Sequence, residues 1–243
     1  MIFSRALIHW AGKYATAAWM IAYLVLSLLV VSVSGCAVAG VAAYILMGDA
    51  PVNPQYKLQH VPTLVFVENY SHPDSTEDAD VLSRYIIEDL KKNLNPKKGK
   101  DNDTNVPPIK FIDPMAIYDL RTADEARFHE MKIQEIGRDV HAEQVIYITF
   151  DSLGVESVGA NEMMHGMGSV RVKVVSCKTG QTLWPQESGG GYPVSYESKL
   201  MTPQQQLTFD EERDFTLRKM AHNIARLFYK WNPADEPDEN QQM

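Results

Sequence analysis

The chain has 243 residues and a formal net charge of −8 at pH 7, with 31 acidic and 23 basic side chains. An acidic surface repels phosphate groups, which argues against nucleic acid and anionic lipid headgroups as partners. The residues that follow the apolar start of the chain are enough for one ordinary domain, which can bury a core without help from disulfides.

Residues 1–48 are predicted to anchor the chain to a membrane. No charged side chain occurs in residues 14–48, a longer stretch than the roughly 20 apolar residues that a helix needs to cross a bilayer. Arg5 and Lys13 precede this stretch and Asp49 follows it. By the positive-inside tendency, the rest of the chain is expected on the extracytoplasmic side.

Cys36 suggests a second kind of anchor. The tetrapeptide at residues 33–36, behind the Leu/Val run of residues 24–33, resembles the lipobox of bacterial lipoproteins. In that motif the cysteine is lipidated and becomes the first residue of the mature protein. Residues 37–47 stay apolar, however, which suits an uncleaved transmembrane helix. A cleaved lipoprotein and an uncleaved span are therefore alternatives, and both place the following domain in the periplasmic part of a bacterial cell envelope.

Residues 49–61 contain prolines and polar side chains and are predicted to form an extended spacer. The domain is predicted to occupy residues 62–232. The apolar run of residues 63–67 is typical of a strand that is buried on both faces. Apolar side chains then recur every three or four residues from Leu82 to Leu94, which predicts an amphipathic helix.

The middle of the domain is predicted to continue with a strand at residues 109–112 and a second helix over residues 123–139. Residues 144–150 form the strongest strand pattern of the chain. In residues 170–174 valines alternate with basic side chains, which indicates a strand with one face on a core. Cys177 ends this pattern and is expected to be a buried small apolar residue.

A turn at residues 178–181 and a return strand at residues 182–185 are predicted to complete a hairpin. The last helix is predicted over residues 203–231, and residues 233–243 form an acidic tail that is expected to be disordered. This order of elements predicts an α/β fold with a mixed β-sheet and packed helices.

Three segments of the domain resemble one group of bacterial envelope proteins. They are the first strand at residues 62–69, the helix end that runs into a strand at residues 136–147, and the hairpin at residues 170–184. Their pattern resembles the α/β domain shared by the curli-secretion lipoprotein, the amino-terminal domain of the Tol translocation protein TolB and the lipoprotein activators of penicillin-binding proteins. The resemblance implies a membrane-tethered, noncatalytic module that binds other envelope proteins or assembles with copies of itself.

The residues predict no catalytic or cofactor-binding site. None of the serine contexts resembles a nucleophile elbow. The acidic residues between 74 and 80 lie at a predicted helix start, where the macrodipole favours negative charge. The histidines show no close pair at the spacing of zinc ligands. We therefore expect a nonenzymatic protein.

A segment rich in methionine, residues 162–167, is expected between two strands and is the candidate metal site. Its thioethers and imidazole suit Cu(I) in an extracytoplasmic setting, although methionines also fill gaps in cores and contact partners. The candidate ligands are Met163, Met164, His165 and Met167. Copper or ligand binding is thus the alternative to a protein-interaction role.

Aromatic residues near the glycine loop are the candidate interface. Trp184, Tyr192 and Tyr196 follow one another closely in sequence. Aromatic side chains are enriched at protein interfaces, but in a hairpin they also form the rim of a core. The main hypothesis is a tethered envelope protein whose domain mediates protein-protein interaction or assembly.

Overall fold

The structure, a computed structural model, describes residues 50–69, 77–95, 107–158, 163–199 and 207–235. The predicted anchor at residues 1–48, with Cys36, and the end of the acidic tail lie outside the described residues. Among the described residues, no helix has the length and apolar character needed to cross a membrane. Residues 53–231 form one compact unit. The described residues 50–52 and 232–235 belong to a second unit, which contains a 3₁₀ turn at Pro233–Asp235.

A five-stranded mixed sheet lies at the centre of the compact unit. Its strands are β1 (Thr63–Glu68), β2 (Gln144–Val158), β3 (Met163–Ser176), β4 (Thr182–Trp184) and β5 (Tyr192–Glu197). The order is β1-β2-β3-β4, and β5 pairs with β3 beside β4. β1 and β2 are parallel, whereas β3 pairs antiparallel with β2, β4 and β5. The predicted α/β class with a mixed sheet is confirmed.

Helices pack on both faces of this sheet. They are α1 (Glu77–Leu94), α2 (Met115–Ala123), α3 (Glu125–Glu130), α4 (Ile133–Asp139) and α5 (Phe209–Ala225). Helices α1 and α5 form the larger core cluster with one face of the sheet. Helices α2 to α4 form a smaller cluster with the other face, which draws on β1, β2 and Cys177.

Burial on both faces explains the apolar run of β1. Leu64 and Phe66 contribute to the cluster below α2 to α4. Val65 and Val67 contribute to the cluster below α1 and α5, because successive side chains of a strand point to opposite faces. The strand prediction for residues 63–67 is confirmed.

The alternation of residues 170–174 in β3 reflects a stretch of strand with only one covered face. Val170, Val172 and Val174 are fully buried in the larger cluster. Arg171 and Lys173 lie on the opposite face, where Arg171 is exposed and Lys173 half-buried. We call this side of β3 and β5 the open face. The predicted half-exposed strand is confirmed.

The single helix predicted over residues 123–139 is wrong. Asp124 has a non-helical backbone and its carboxylate accepts a hydrogen bond from the Arg127 N–H at 3.0 Å, so that it starts α3 as an N-cap. The chain is extended at Met131 and Lys132, immediately before α4. The N-cap at Asp124 and the extended residues Met131 and Lys132 therefore divide into separate helices a segment whose apolar pattern is continuous in the sequence.

Other parts of the fold also differ from the prediction. Residues 109–112 form no strand, and Phe111 makes only an isolated bridge to Thr63. Strand β5 was not predicted. Helix α5 begins after Thr208 and ends at Ala225, within the predicted range 203–231. In the residues that follow, backbone N–H groups donate to carbonyl oxygens three residues earlier in the chain. Residues 203–206 lie outside the described residues.

The predicted spacer packs against the domain from residue 53 onward. The N–H groups of Gln55 and Tyr56 both donate to the carbonyl oxygen of Leu227, at 2.8 and 3.1 Å. Leu58 is buried in the larger core cluster. Residues 53–61 thus belong to the compact unit.

Candidate functional site

Two of the three predicted interface aromatics lie together. The rings of Trp184 and Tyr192 are stacked with centroids 5.1 Å apart. Tyr56 lies 6.2 Å and Phe228 6.1 Å from the Trp184 ring. Trp184 and Tyr192 are partly buried and pack on the larger core cluster. Their contacts favour the core-rim interpretation, and an interface role stays a prediction.

Tyr196 lies in a different environment. It pairs with Gly168 of β3, and its ring is 6.3 Å from that of Phe215 on α5. It is partly buried against the same core cluster. The three predicted interface residues therefore share a face of the sheet, but they do not form one exposed patch.

The methionine-rich segment is part of β3 and does not form a loop between strands. Strand alternation places His165 and Met167 on the open face and Met164 on the face toward α5. His165 Nε2 lies 3.3 Å from Glu197 Oε1 across the sheet. The side chain of Met163 lies outside the described residues. The described geometry thus separates Met164 from His165 and Met167, and copper binding stays a prediction.

Asp89 lies at the centre of a polar cluster between α1 and the carboxyl-terminal part of the domain. His222 Nδ1 is 2.7 Å from Asp89 Oδ2, while Tyr229 and Asn93 donate to Asp89 Oδ1 at 2.7 and 2.8 Å. Burial favours the neutral form, but these hydrogen bonds outweigh it and lower the pKa of Asp89. The Asp89 carboxylate connects α1 with α5 through His222, and its hydrogen bonds have a structural role.

Further pairs continue this helix contact. Arg213 donates Nε–H to Asp78 Oδ1 at 2.8 Å, and its second nitrogen contacts Oδ2. Tyr85 and Arg218 both donate to Asp214, at 2.5 and 2.8 Å. Burial, and then the Asp214 carboxylate, raise the pKa of Tyr85. These charged groups bond one another across α1 and α5 and do not converge on a cleft.

A surface cleft of about 410 Å³ lies beside α3 and α4. Its walls carry charges of both signs, and Arg127 pairs with Asp139 at 2.9 Å. The lining residues are Arg127, Glu130, Met131, Glu135, Arg138 and Asp139. They include no nucleophile, and burial raises the pKa of the nearby Cys177 thiol to about 11, so that it stays protonated near neutral pH.

Gly166 brings β3 into direct contact with α5. Its N–H donates to Ser198 Oγ at 2.9 Å and to Glu212 Oε1 at 3.0 Å. Glu212 and Thr216 are fully buried, and Glu212 Oε2 and Thr216 Oγ1 have no hydrogen-bond partner among the described residues. Sequence reasoning missed this contact, since it depends on residues far apart in the chain.

Strands β2 and β3 continue together beyond the end of β1. The β1 pairing with β2 stops at Thr149, whereas the β2 pairing with β3 extends to Val158 and Met163. We call residues 151–158 of β2, with residues 163–169 of β3, the arm. In the described part of the chain, no strand pairs with the outer edge of residues 151–158. Among the described residues, the arm therefore offers a strand edge without a pairing strand.

No model of a protein family matches the chain, and no curated protein matches it. Similar solved structures include lipoprotein GNA1162 of Neisseria meningitidis, at 14% identity over 56% of this chain and 82% of that chain, with a TM-score of 0.37. Protein CT253 of Chlamydia trachomatis is 12% identical over 70% of this chain and 92% of that chain, with a TM-score of 0.36. A PelC dodecamer of Paraburkholderia phytofirmans is 8% identical over 72% and 95%, with a TM-score of 0.33. Likeness at this level of identity and TM-score assigns neither family nor function to this chain.

Proposed function

We propose that this chain is a nonenzymatic protein of the bacterial cell envelope, tethered to a membrane, whose extracytoplasmic α/β domain mediates protein-protein interaction. The arm is the observation that carries the interaction role. A strand edge with free N–H and C=O groups can accept a further strand, and this mode of recognition uses the backbone itself.

The placement of charged groups supports a nonenzymatic role. A general acid or base must be within reach of a substrate, usually in a cleft that excludes water. Asp89, Asp78 and Asp214 instead bond partners between packed helices. The cleft beside α3 and α4 carries paired surface charges.

The tether is supported by the charge-free stretch of residues 14–48. Intact mass of the protein from its native membrane distinguishes the two anchors. A mass that lacks residues 1–35 and carries added acyl groups, and that is lost on Cys36→Ala substitution, indicates a lipoprotein. An unprocessed mass that the substitution changes only by the side-chain difference indicates a transmembrane anchor. Recovery of the full-length protein from the soluble fraction would contradict the proposal.

Photo-crosslinking in intact cells tests the interaction role. A photoreactive amino acid replaces Ser152, which is exposed on the arm, in the full-length protein. The matched control replaces Lys91, which is exposed on α1. We expect discrete crosslinked species, containing either this chain or another protein, from position 152 and fewer from position 91. Absence of any adduct from position 152 would contradict the role of the arm.

A further inference from the structure

Apart from the three-residue β4, three outer edges of the described sheet differ in what they offer to an incoming strand. At β1, the N–H of Thr63 donates to Lys110 and its carbonyl accepts from Ile112, so that edge is partly occupied. At β5, Pro193 removes one backbone donor, a common protection of edge strands. Among the described residues, the arm edge of β2 contains no proline and has no pairing strand. It is the edge best able to extend the sheet.

Gly154 lies in the middle of this edge, where the protomer has room for a larger side chain. A Cβ built on Gly154 would meet no atom within 4 Å. Glycine within a strand weakens it, and often marks a place where another backbone approaches closely. By contrast, Gly166 of the facing strand is required, because an added Cβ would lie 1.9 Å from Thr216 Oγ1 of α5.

We propose that a second copy of this chain pairs with the arm, through antiparallel contact of the two β2 edges about a two-fold axis at Gly154. This interface deepens the proposed function and rests on it. With this axis, a residue that precedes Gly154 in one copy lies opposite the residue that follows Gly154 by the same number of positions in the other copy. An isologous contact of this kind closes as a dimer and does not grow into a fibre.

The side chains of the arm suit this register. Leu153 of one copy lies opposite Val155 of the other, and both are on the face that β2 turns toward α5. Ser152 lies opposite Glu156 on the open face. Glu156, the acidic residue within the regular register, therefore faces Ser152 and not its own copy, whereas Asp151 lies at the register shift between Phe150 and Ser152 and its carboxylate pairs with Arg171 at 3.0 Å.

The two Gly154 residues face each other across the axis, which allows a charge-exchange test. Directly opposed side chains in an antiparallel pair are about 5 Å apart, so Gly154→Lys and Gly154→Glu each place two like charges together. We expect either substitution alone to weaken dimerisation roughly tenfold or more. An equal mixture of the two variants pairs Lys with Glu and should recover the dimer.

The measurement is the mass of the full-length protein in a mild detergent, by analytical ultracentrifugation over a range of protein concentrations. Gly189→Lys is the matched control, because a Cβ on Gly189 also meets nothing within 4 Å and the residue lies in a loop. It should leave the dimer unchanged. Thermal unfolding of each variant checks that the protomer remains folded.

Loss of the dimer in both single variants, with recovery in their mixture, supports the interface. A monomeric wild-type protein, or a dimer that the Gly154 substitutions do not weaken, overturns it. These outcomes are separate from the proposed function, since adducts between Ser152 and a different protein would retain the interaction role while this dimer is rejected.

Discussion

Gly166 shows how one residue sets the distance between β3 and α5. A Cβ at this position would lie 1.9 Å from Thr216 Oγ1 and 2.9 Å from Glu212 Oε1. Thr216 is short, branched and fully buried, so it cannot move aside easily. We expect Gly166→Ala to destabilise the domain by about 2 kcal/mol, as overpacking of a well-packed core does. Urea unfolding followed by circular dichroism measures this change.

Two comparisons separate overpacking at Gly166 from a general effect of replacing glycine. Gly168→Ala meets the end of the flexible Met220 side chain, so it should cost less than Gly166→Ala. Combining Gly166→Ala with Thr216→Ala removes the clashing hydroxyl and should recover much of the loss. Additive effects of these two substitutions would show that they do not contact each other.

Asp89 gives the domain a defined response to acid. Its pKa is lowered in the folded protein by hydrogen bonds from His222, Tyr229 and Asn93, which outweigh burial. A lowered folded pKa adds stability that is present above the unfolded pKa of about 3.9, and that is lost as the pH falls through the folded value. The free energy of unfolding should therefore fall below about pH 4 more steeply in the wild type than in Asp89→Asn. Equal slopes for the two proteins would contradict this assignment.

At the scale of elements, the start of α5 depends on a capping box. Thr208 Oγ1 accepts from the Glu211 N–H at 3.3 Å, and Glu211 Oε2 accepts from the Thr208 N–H at 2.8 Å. Thr208→Ala should destabilise the domain by about 1 kcal/mol, whereas Thr208→Ser should retain most of the stability. Thermal unfolding of both variants measures this difference, and equal loss in both would rule out the cap as the cause.

This cap also explains an error in the sequence-based boundary. Apolar periodicity and Pro203 suggested an earlier helix start, but the Thr208 and Glu211 spacing is a recognised start signal that was present in the sequence. The divided helix at α3 and α4 had a similar signal in Asp124. Capping residues therefore mark helix starts that apolar periodicity alone does not reveal.

At the scale of the whole molecule, residues 53–61 decide where the folded unit begins. A fragment starting at Asn53 retains the backbone bonds of Gln55 and Tyr56 to Leu227 and the burial of Leu58. A fragment starting at Pro62 loses all of them. We expect the shorter fragment to be less stable by about 3 kcal/mol, which is the sum of one buried leucine and two modest hydrogen bonds.

Chemical denaturation of the two fragments measures this difference. Equal stability of the two fragments would support the interpretation of this segment as a spacer.

Local pattern in the sequence was enough to determine several features. The charge-free stretch of residues 14–48 predicts a tether, which lies outside the described residues and stays a prediction. The apolar run of β1, the spacing in α1 and the alternation in β3 predicted elements that the structure confirms. These elements can be predicted because burial of one or both faces of a helix or strand fixes the spacing at which apolar residues recur in the sequence.

Only the tertiary structure decided how the strands meet and which backbone remains unpaired. The placement of β5 beside β3, the contact of Gly166 with Glu212 and the free edge around Gly154 join residues that are distant in sequence or depend on where a neighbouring strand ends. The methionines that looked like a single metal-binding group are divided between two faces for the same reason. The periodicity of apolar residues indicates that a side chain is buried, but the packing of the whole domain determines which helix or strand covers it.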